Sequence, residues 1–341
     1  MHFNYHVLTV GPPPVPGAPP ASYQGYPVDF PTIQAAMDAI PLTDPETGDF
    51  LQRWTILVTT GYYEEVIYGK PHVNIVGINK ESVYIQPPPI RRQARGLHPK
   101  RVNVYLSSFT LLSNVTLLNR QDSKSGEVVV YGFDTFHGKG GEVHDLGLSN
   151  VDIMPFSPYL ENPDSLRGYS KASLIRLEGH WHTAIFRDVG GNYIAAEGYG
   201  INLIGDGQNA DCHFINCFFD ALYLADTEAE CGILRVQDCF EVHLRNSFLR
   251  TNNIRAYHAQ REPLEACAIV PANGSAAATR STQDRKTNLF VEGSSLECNA
   301  EGSALGLLDI GPGTTCFFKH SSSDSRTPGG TFIPSGPDGI G

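Results

Sequence analysis

The chain has 341 residues, of which 41% are hydrophobic and 18% charged, with 34 Gly and 24 Pro. It is long enough to bury a sizeable core without disulfide or metal staples. Its net charge of −11 argues against a nucleic-acid binder, which carries a basic patch or stripe, and no window approaches the roughly 18–20 apolar residues of a membrane span.

In chain order, the start MHFNYHVLTVGPPP lacks a basic n-region and has too short an apolar run, so no secretory signal is recognised. Residues 1–28 read as a Pro-rich N-terminal arm, with Gly11–Pro20 favouring extended polyproline conformation. One short helix is predicted over Thr32–Ile40, because Ile33, Met37 and Ile40 form a single apolar stripe. Asp29 or Thr32 caps it and Pro41 ends it. A strand follows at Trp54–Thr59, then the turn Gly61-Tyr62-Tyr63-Glu64-Glu65, then strands at Val66–Tyr68, Val73–Val76 and Val83–Ile85. From there on, strands of three to six residues alternate with Gly, Asn, Asp and Ser, which is an all-β pattern. Pro87–Lys100 and Ser157–Tyr169 read as surface insertions, and the basic cluster Arg91, Arg92, Arg95, Lys100 and Arg101 as a solvated loop. The tail 321–341 is Ser/Gly/Pro-rich and reads as a second arm.

Within this region a phrase repeats: apolar, any residue, small polar, apolar. It occurs as Leu112-Ser-Asn114-Val115, Leu148-Ser-Asn150-Val151, Phe186-Arg-Asp188-Val189, Phe214-Ile-Asn216-Cys217 and Leu244-Arg-Asn246-Ser247, with a looser copy at Val291-Glu-Gly293-Ser294. The first five polar residues lie 36, 38, 28 and 30 residues apart. A fixed phrase at irregular intervals suits a coil whose loops vary while its turns do not. Asn tolerates left-handed backbone geometry at a tight bend, and its amide can bond to its equivalent one turn along. Asn114, Asn150, Asp188, Asn216 and Asn246 are therefore read as an internal structural ladder. The seven cysteines, Cys212, Cys217, Cys231, Cys239, Cys267, Cys298 and Cys316, are odd in number and mostly sit in apolar strand-like runs, so they read as small buried hydrophobes.

The opening of this coil resembles the pectin methylesterase family, a right-handed parallel β-helix of carbohydrate esterases. The resemblance rests on Asp29-Phe30-Pro31-Thr32-Ile33-Gln34-Ala35-Ala36 with Ala39-Ile40-Pro41, on the G-x-Y-x-E turn at Gly61–Glu65, and on Val73-Asn74-Ile75-Val76-Gly77 with Val83-Tyr84-Ile85. It covers about 60 residues, a pattern shared with polysaccharide lyases and phage tailspikes, and implies fold more than activity. The family's chemistry does not carry over. There is no G-x-x-D-F-I-F-G string, and Lys171 stands where the family's Q-A-V-A-L strand has its Gln. The Q-D-T-L-Y acid is only echoed by Phe219-Asp220-Ala221-Leu222-Tyr223, and the family's downstream catalytic Arg with its adjacent Trp has no counterpart, since the tryptophans are Trp54 and Trp181. A nucleophilic carboxylate needs a positioned acid and an oxyanion donor.

Other candidates are weighed by residue. His180 and His182 share one face of a strand and form at most half of a metal site; no metal or cofactor is expected. His213 and His243 each lie three residues before a corner Asn, so they stack on adjacent rungs and face outward. Arg245, with Arg187 one rung earlier, shares a second outward register. Together these four are the candidates for binding a glycan or a partner. Asp206, Asp226 and Glu228 are the catalytic candidates if the chain is a hydrolase, which needs two facing carboxylates.

The expectation is thus a single right-handed parallel β-helix over residues 29–320, its coil running from Trp54 to Lys319, capped by the Thr32–Ile40 helix and flanked by two arms. Function is read as a non-catalytic structural or adhesive role in a virion or extracellular surface assembly, of the tailspike or decoration kind. Such a protein oligomerises, as a trimer above all, through both arms, and recognises a surface polysaccharide. The alternative is a polysaccharide-active esterase, lyase or hydrolase.

Overall fold

A computed structural model describes residues 6–12, 21–41, 53–88, 101–120, 127–132, 145–156, 172–179, 181–195, 198–205, 210–223, 231–237, 239, 241–253, 266–271, 287–299, 314–319 and 322–325. Among these residues, apart from one helix and a two-stranded antiparallel hairpin, Ser22–Tyr23 with Tyr26–Pro27, every paired strand is parallel to its neighbours. A 16-stranded and a 7-stranded sheet account for the rest.

The larger sheet supplies two faces of a coil. Thr110–Arg120 and Leu146–Phe156 pair on both sides of Asn114 and Asn150, so the sheet folds over a corner there. Further along, the same corner splits each rung in two: Asp211–Ile215 and Phe218–Tyr223, then Glu241–Arg245 and Phe248–Asn253. The 7-stranded sheet, from Ile67–Tyr68 through Ala266–Pro271, is the third face. The chain is a right-handed parallel β-helix.

Strand alternation sends every second side chain inward. In register, Ile56, Ile75, Leu112, Leu148, Phe186, Phe214, Leu244 and Val291 form one buried column. Phe186 and Phe214 stack with centroids 4.8 Å apart, and Phe219 meets Phe214 edge-on at 6.1 Å. Cys212, Cys217 and Cys239 are free thiols buried in this interior; burial pushes the Cys217 thiol up to about 12. Side chains of the other four cysteines lie outside the described residues.

The corners use a backbone geometry that most residues avoid. Asn114, Asn150, Asp188, Asn216 and Asn246 have φ between 48° and 55°, and Gly293 continues the column at 58°. The Asn150 amide donates to Asn114 Oδ1 at 2.9 Å, and that of Asn216 to Asp188 Oδ1 at 3.2 Å. One residue on, a second ladder runs inside: Cys217 N donates to Ser247 Oγ (3.1 Å) and Ser247 N to Ser294 Oγ (3.0 Å). Within the coil, two left-handed residues are not Asn-like: His72 (62°) and Phe109 (56°) stack at 4.6 Å on adjacent rungs.

The helix spans Ile33–Ala39 and buries Ile33, Ala36 and Met37. Thr32 is its cap, accepting from Ala35 N at 3.1 Å, whereas the Asp29 carboxylate accepts from Thr9 N and Oγ1. The Gly61–Glu65 turn explains its own motif. Tyr63 donates to Thr59 O at 2.8 Å. Glu65 accepts from Ile33 N at 2.9 Å and Gln34 N at 2.7 Å, fastening the helix to the coil.

The coil begins and ends beyond the stretch read from the sequence. His6–Val10 pairs in parallel with Trp54–Val58, so the first rung lies upstream of Trp54. Ser322–Ser325 pairs with Ser295–Asn299 downstream of Lys319. Residues 13–20 and 326–341, the most Pro- and Gly-rich parts of the two arms, lie outside the described residues, as do 89–100 and 157–171 of the insertions. Among the described residues, no helix is long and apolar enough to cross a membrane.

Candidate functional site

The outward side chains of the first face stand in three lanes, because parallel pairing keeps each register position aligned from rung to rung. The central lane carries Leu111, Gly147, Ile185, His213, His243 and Phe290. His213 and His243 stack at 4.6 Å, and His243 stacks on Phe290 at the same distance. Both histidines are half-buried by this stacking. Burial, then the neighbouring His243 and Arg245 charges, hold His213 below its usual pKa.

One flanking lane holds Thr183, Asp211, Glu241 and Asn288. Glu241 Oε2 lies 2.9 Å from His243 Nε2. Burial and the adjacent Glu241 raise the Asp211 pKa. The other lane holds Ser149, Arg187, Ile215, Arg245 and Glu292. Arg187 and Arg245 do share a register, but two rungs apart with Ile215 between them, not one. Ile215, apolar and outward, does not mark the lane in the sequence. Arg245 reaches Glu292 at 3.9 Å. Arg187 is exposed and makes no ion pair with a described residue.

A trough of about 390 Å³ lies further toward the N-terminal end of this face. Its floor is Leu111, Gly147 and Ile185, with Phe109 at one side. Gly147 makes the trough: it occupies a lane position where the rungs on either side carry Leu and Ile. Arg53 and Asp145 stand on one rim and Arg187 on the other. Only Arg187 of this set was singled out by sequence. Phe109 escaped because nothing in its neighbourhood marks a left-handed corner, and Gly147 because a strand glycine has many explanations.

Of the remaining candidates, His182 accepts a bond from Asp211 N through its backbone oxygen at 3.0 Å. His180, Asp206, Asp226 and Glu228 lie outside the described residues. Among the described residues, no three His, Cys, Asp or Glu side chains cluster as a metal site. Asp220, the echo of the esterase acid, is on the second face. It is ion-paired with Arg250, whose guanidinium lies 5.6 Å over the Phe248 ring. Phe248 in turn stacks on the exposed Phe218 at 5.1 Å.

No protein-family model matches the chain, and no curated protein does. Among solved structures, pectin methylesterase PemA from Erwinia chrysanthemi aligns over 95% of this chain and 90% of its own, at 13% identity and a TM-score of 0.52. Carrot pectin methylesterase aligns over 94% and 83% at 11% identity, TM-score 0.49. ORF18 of Geobacillus virus E2 aligns over 86% and 58% at 11% identity, TM-score 0.37. The chain has the fold of the pectin methylesterases. At these identities the likeness extends to the fold alone.

Proposed function

We propose that this protein is a non-catalytic structural or adhesive β-helix of a virion or other surface assembly, and that it holds a surface polysaccharide against the first face of its coil. The observation that carries this is the lane arrangement. Stacked rings at His213, His243 and Phe290 run beside the guanidiniums of Arg187 and Arg245 along a shallow open face. Flat rings accept the apolar faces of sugars, and guanidiniums donate in a planar fork to their oxygens. The esterase's partners are missing from the sequence, and Asp220, the echo of its acid, is tied to Arg250. The terminal arms are the proposed assembly elements, with a homotrimer favoured.

Two measurements test this. A glycan array read together with a turnover assay returns binding without release of reducing sugar or acetate. Sedimentation of the purified full chain returns an oligomer, and a stable monomer that binds no glycan overturns the reading. The rival, a polysaccharide-active enzyme, is favoured by one observation: Asp211 and Glu241 stand in register on adjacent rungs, with the Asp211 pKa raised. Product release that disappears in Asp211→Asn, or in Asp206→Ala or Asp226→Ala, decides for the enzyme.

A further inference from the structure

The geometry points to the trough over Gly147 as the seat of one carboxylate-bearing sugar unit, with its ring on the Leu111–Gly147–Ile185 floor, its edge against Phe109 and its carboxylate on Arg187. This deepens, and rests on, the glycan-binding reading above.

Three observations converge. The first is shape. About 390 Å³ of concave space falls within the roughly 300–1,000 Å³ of small-ligand clefts. It exists because a side chain is missing: a Cβ at Gly147 would come within 3.5 Å of Leu111 Cδ1 and 2.9 Å of Ile185 O. The second is surface chemistry. The floor is apolar, and Leu111 and Ile185 are among the more exposed large hydrophobics of the molecule at 36% and 41%. An apolar floor with a few polar groups at its rim fits a pyranose, which is apolar on its faces and polar around its edge. The third is charge. Two guanidiniums, Arg53 and Arg187, face one carboxylate, Asp145, so the trough carries a local positive excess on a chain of net charge −11. An anion is therefore drawn to this spot in particular. Arg187, exposed and without an ion partner among the described residues, is placed to pair with it through two parallel N–H bonds. The site is also separate from the second face, where Asp220 lies.

The test uses the full chain and fluorescently labelled hexasaccharides: acidic ones derived from alginate, hyaluronan and polysialic acid, their carboxyl-reduced forms, and a neutral glucan. The expected result is binding of at least one acidic oligosaccharide that weakens tenfold or more when its carboxyls are reduced, and by a similar factor in Arg187→Ala. Arg187→Lys recovers only part of the loss, because a point charge replaces a fork. Phe109→Asn, which keeps a residue tolerant of the left-handed corner, weakens binding without changing the melting temperature by more than a few degrees. Binding that ignores carboxyl reduction and Arg187→Ala but falls in His243→Ala overturns the trough while leaving the adhesive reading standing. Absence of binding to every oligosaccharide overturns both.

Discussion

At a corner of the coil, one residue decides between a bend and a strained chain. Left-handed geometry costs most L-residues about 1–2 kcal/mol, and Asn offsets part of this through its short amide. At Asn150 the amide also donates to Asn114, a bond worth about 0.5–1.5 kcal/mol net. Replacing Asn150 with Gly therefore removes the hydrogen bond but keeps the bend. Replacing it with Ala loses both. Urea unfolding should show Asn150→Ala destabilised by about 2 kcal/mol and Asn150→Gly by about half of that; equal losses would mean the conformation is not what Asn supplies. The His213 ring carries a second residue-scale prediction. Its pKa is lowered by burial and by His243 and Arg245, so the unfolded chain binds the proton more readily than the folded one. His213 thus favours folding most above the ordinary histidine value of about 6.5, and that contribution is lost as pH falls through the lowered folded value. His213→Gln should flatten the stability-versus-pH curve below about pH 6.5, as read by thermal melts from pH 7.5 to 5.

Elements here gain stability from stacking more than from their own propensity. No strand of five residues is stable alone, yet each rung closes apolar columns with the rungs on both sides. Phe214 sits between Phe186 and Leu244 in one such column and touches Phe219 across the interior. Phe214→Ala should cost about 3–5 kcal/mol, measured by chemical denaturation, with the loss shared by both adjoining rungs. At the N-terminal end the seven-residue helix is too short to persist by itself. It is held by burial of Ile33, Ala36 and Met37 and by the Glu65 carboxylate on its first amides. Burial raises the Glu65 pKa even though those backbone donors pull it down. Glu65→Gln keeps one acceptor oxygen and should cost about 1 kcal/mol, while Glu65→Ala leaves two helix amides unsatisfied and should cost about 2. Helical circular dichroism in this short segment is weak, so amide exchange at Ile33 and Gln34 is the sharper readout.

As a whole molecule, the coil is quasi-one-dimensional, and its weakest parts are its ends. Central rungs such as Thr110–Arg120 and Leu146–Phe156 are paired on both edges. Among the described residues, His6–Val10 has a single partner strand, and its other edge meets only Asp29 and Phe30. Hydrogen exchange should therefore be slowest at Leu112, Leu148 and Phe186 and faster at His6–Val10. Uniform protection along the axis in the assembled protein would instead locate a subunit contact at the N-terminal end. The proposed glycan recognition scales the same way. Parallel in-register strands turn a single outward residue into a lane, which suits an extended polymer better than a small molecule.

The architecture and its punctuation were legible in the amino-acid string. The recurring phrase around Asn114, Asn150, Asp188, Asn216 and Asn246 lands where the backbone turns left-handed, because few side chains tolerate that geometry and the need for it recurs on successive rungs from Asn114 to Gly293. The motif at Gly61, Tyr63 and Glu65 was legible for a related reason: a carboxylate that satisfies helix amides from 31 residues away leaves a fixed signature. Register between distant rungs was not legible, since loops of unequal length hide which residues fall side by side. Ile215 therefore hides the rung between Arg187 and Arg245, and the gap between Val10 and Trp54 hides the first rung. The trough over Gly147 depends on three rungs at once, and a missing side chain becomes a cavity only when its neighbours in space are known. Local chemistry therefore fixed the coil from sequence, while the surface that the coil presents emerged only from tertiary alignment.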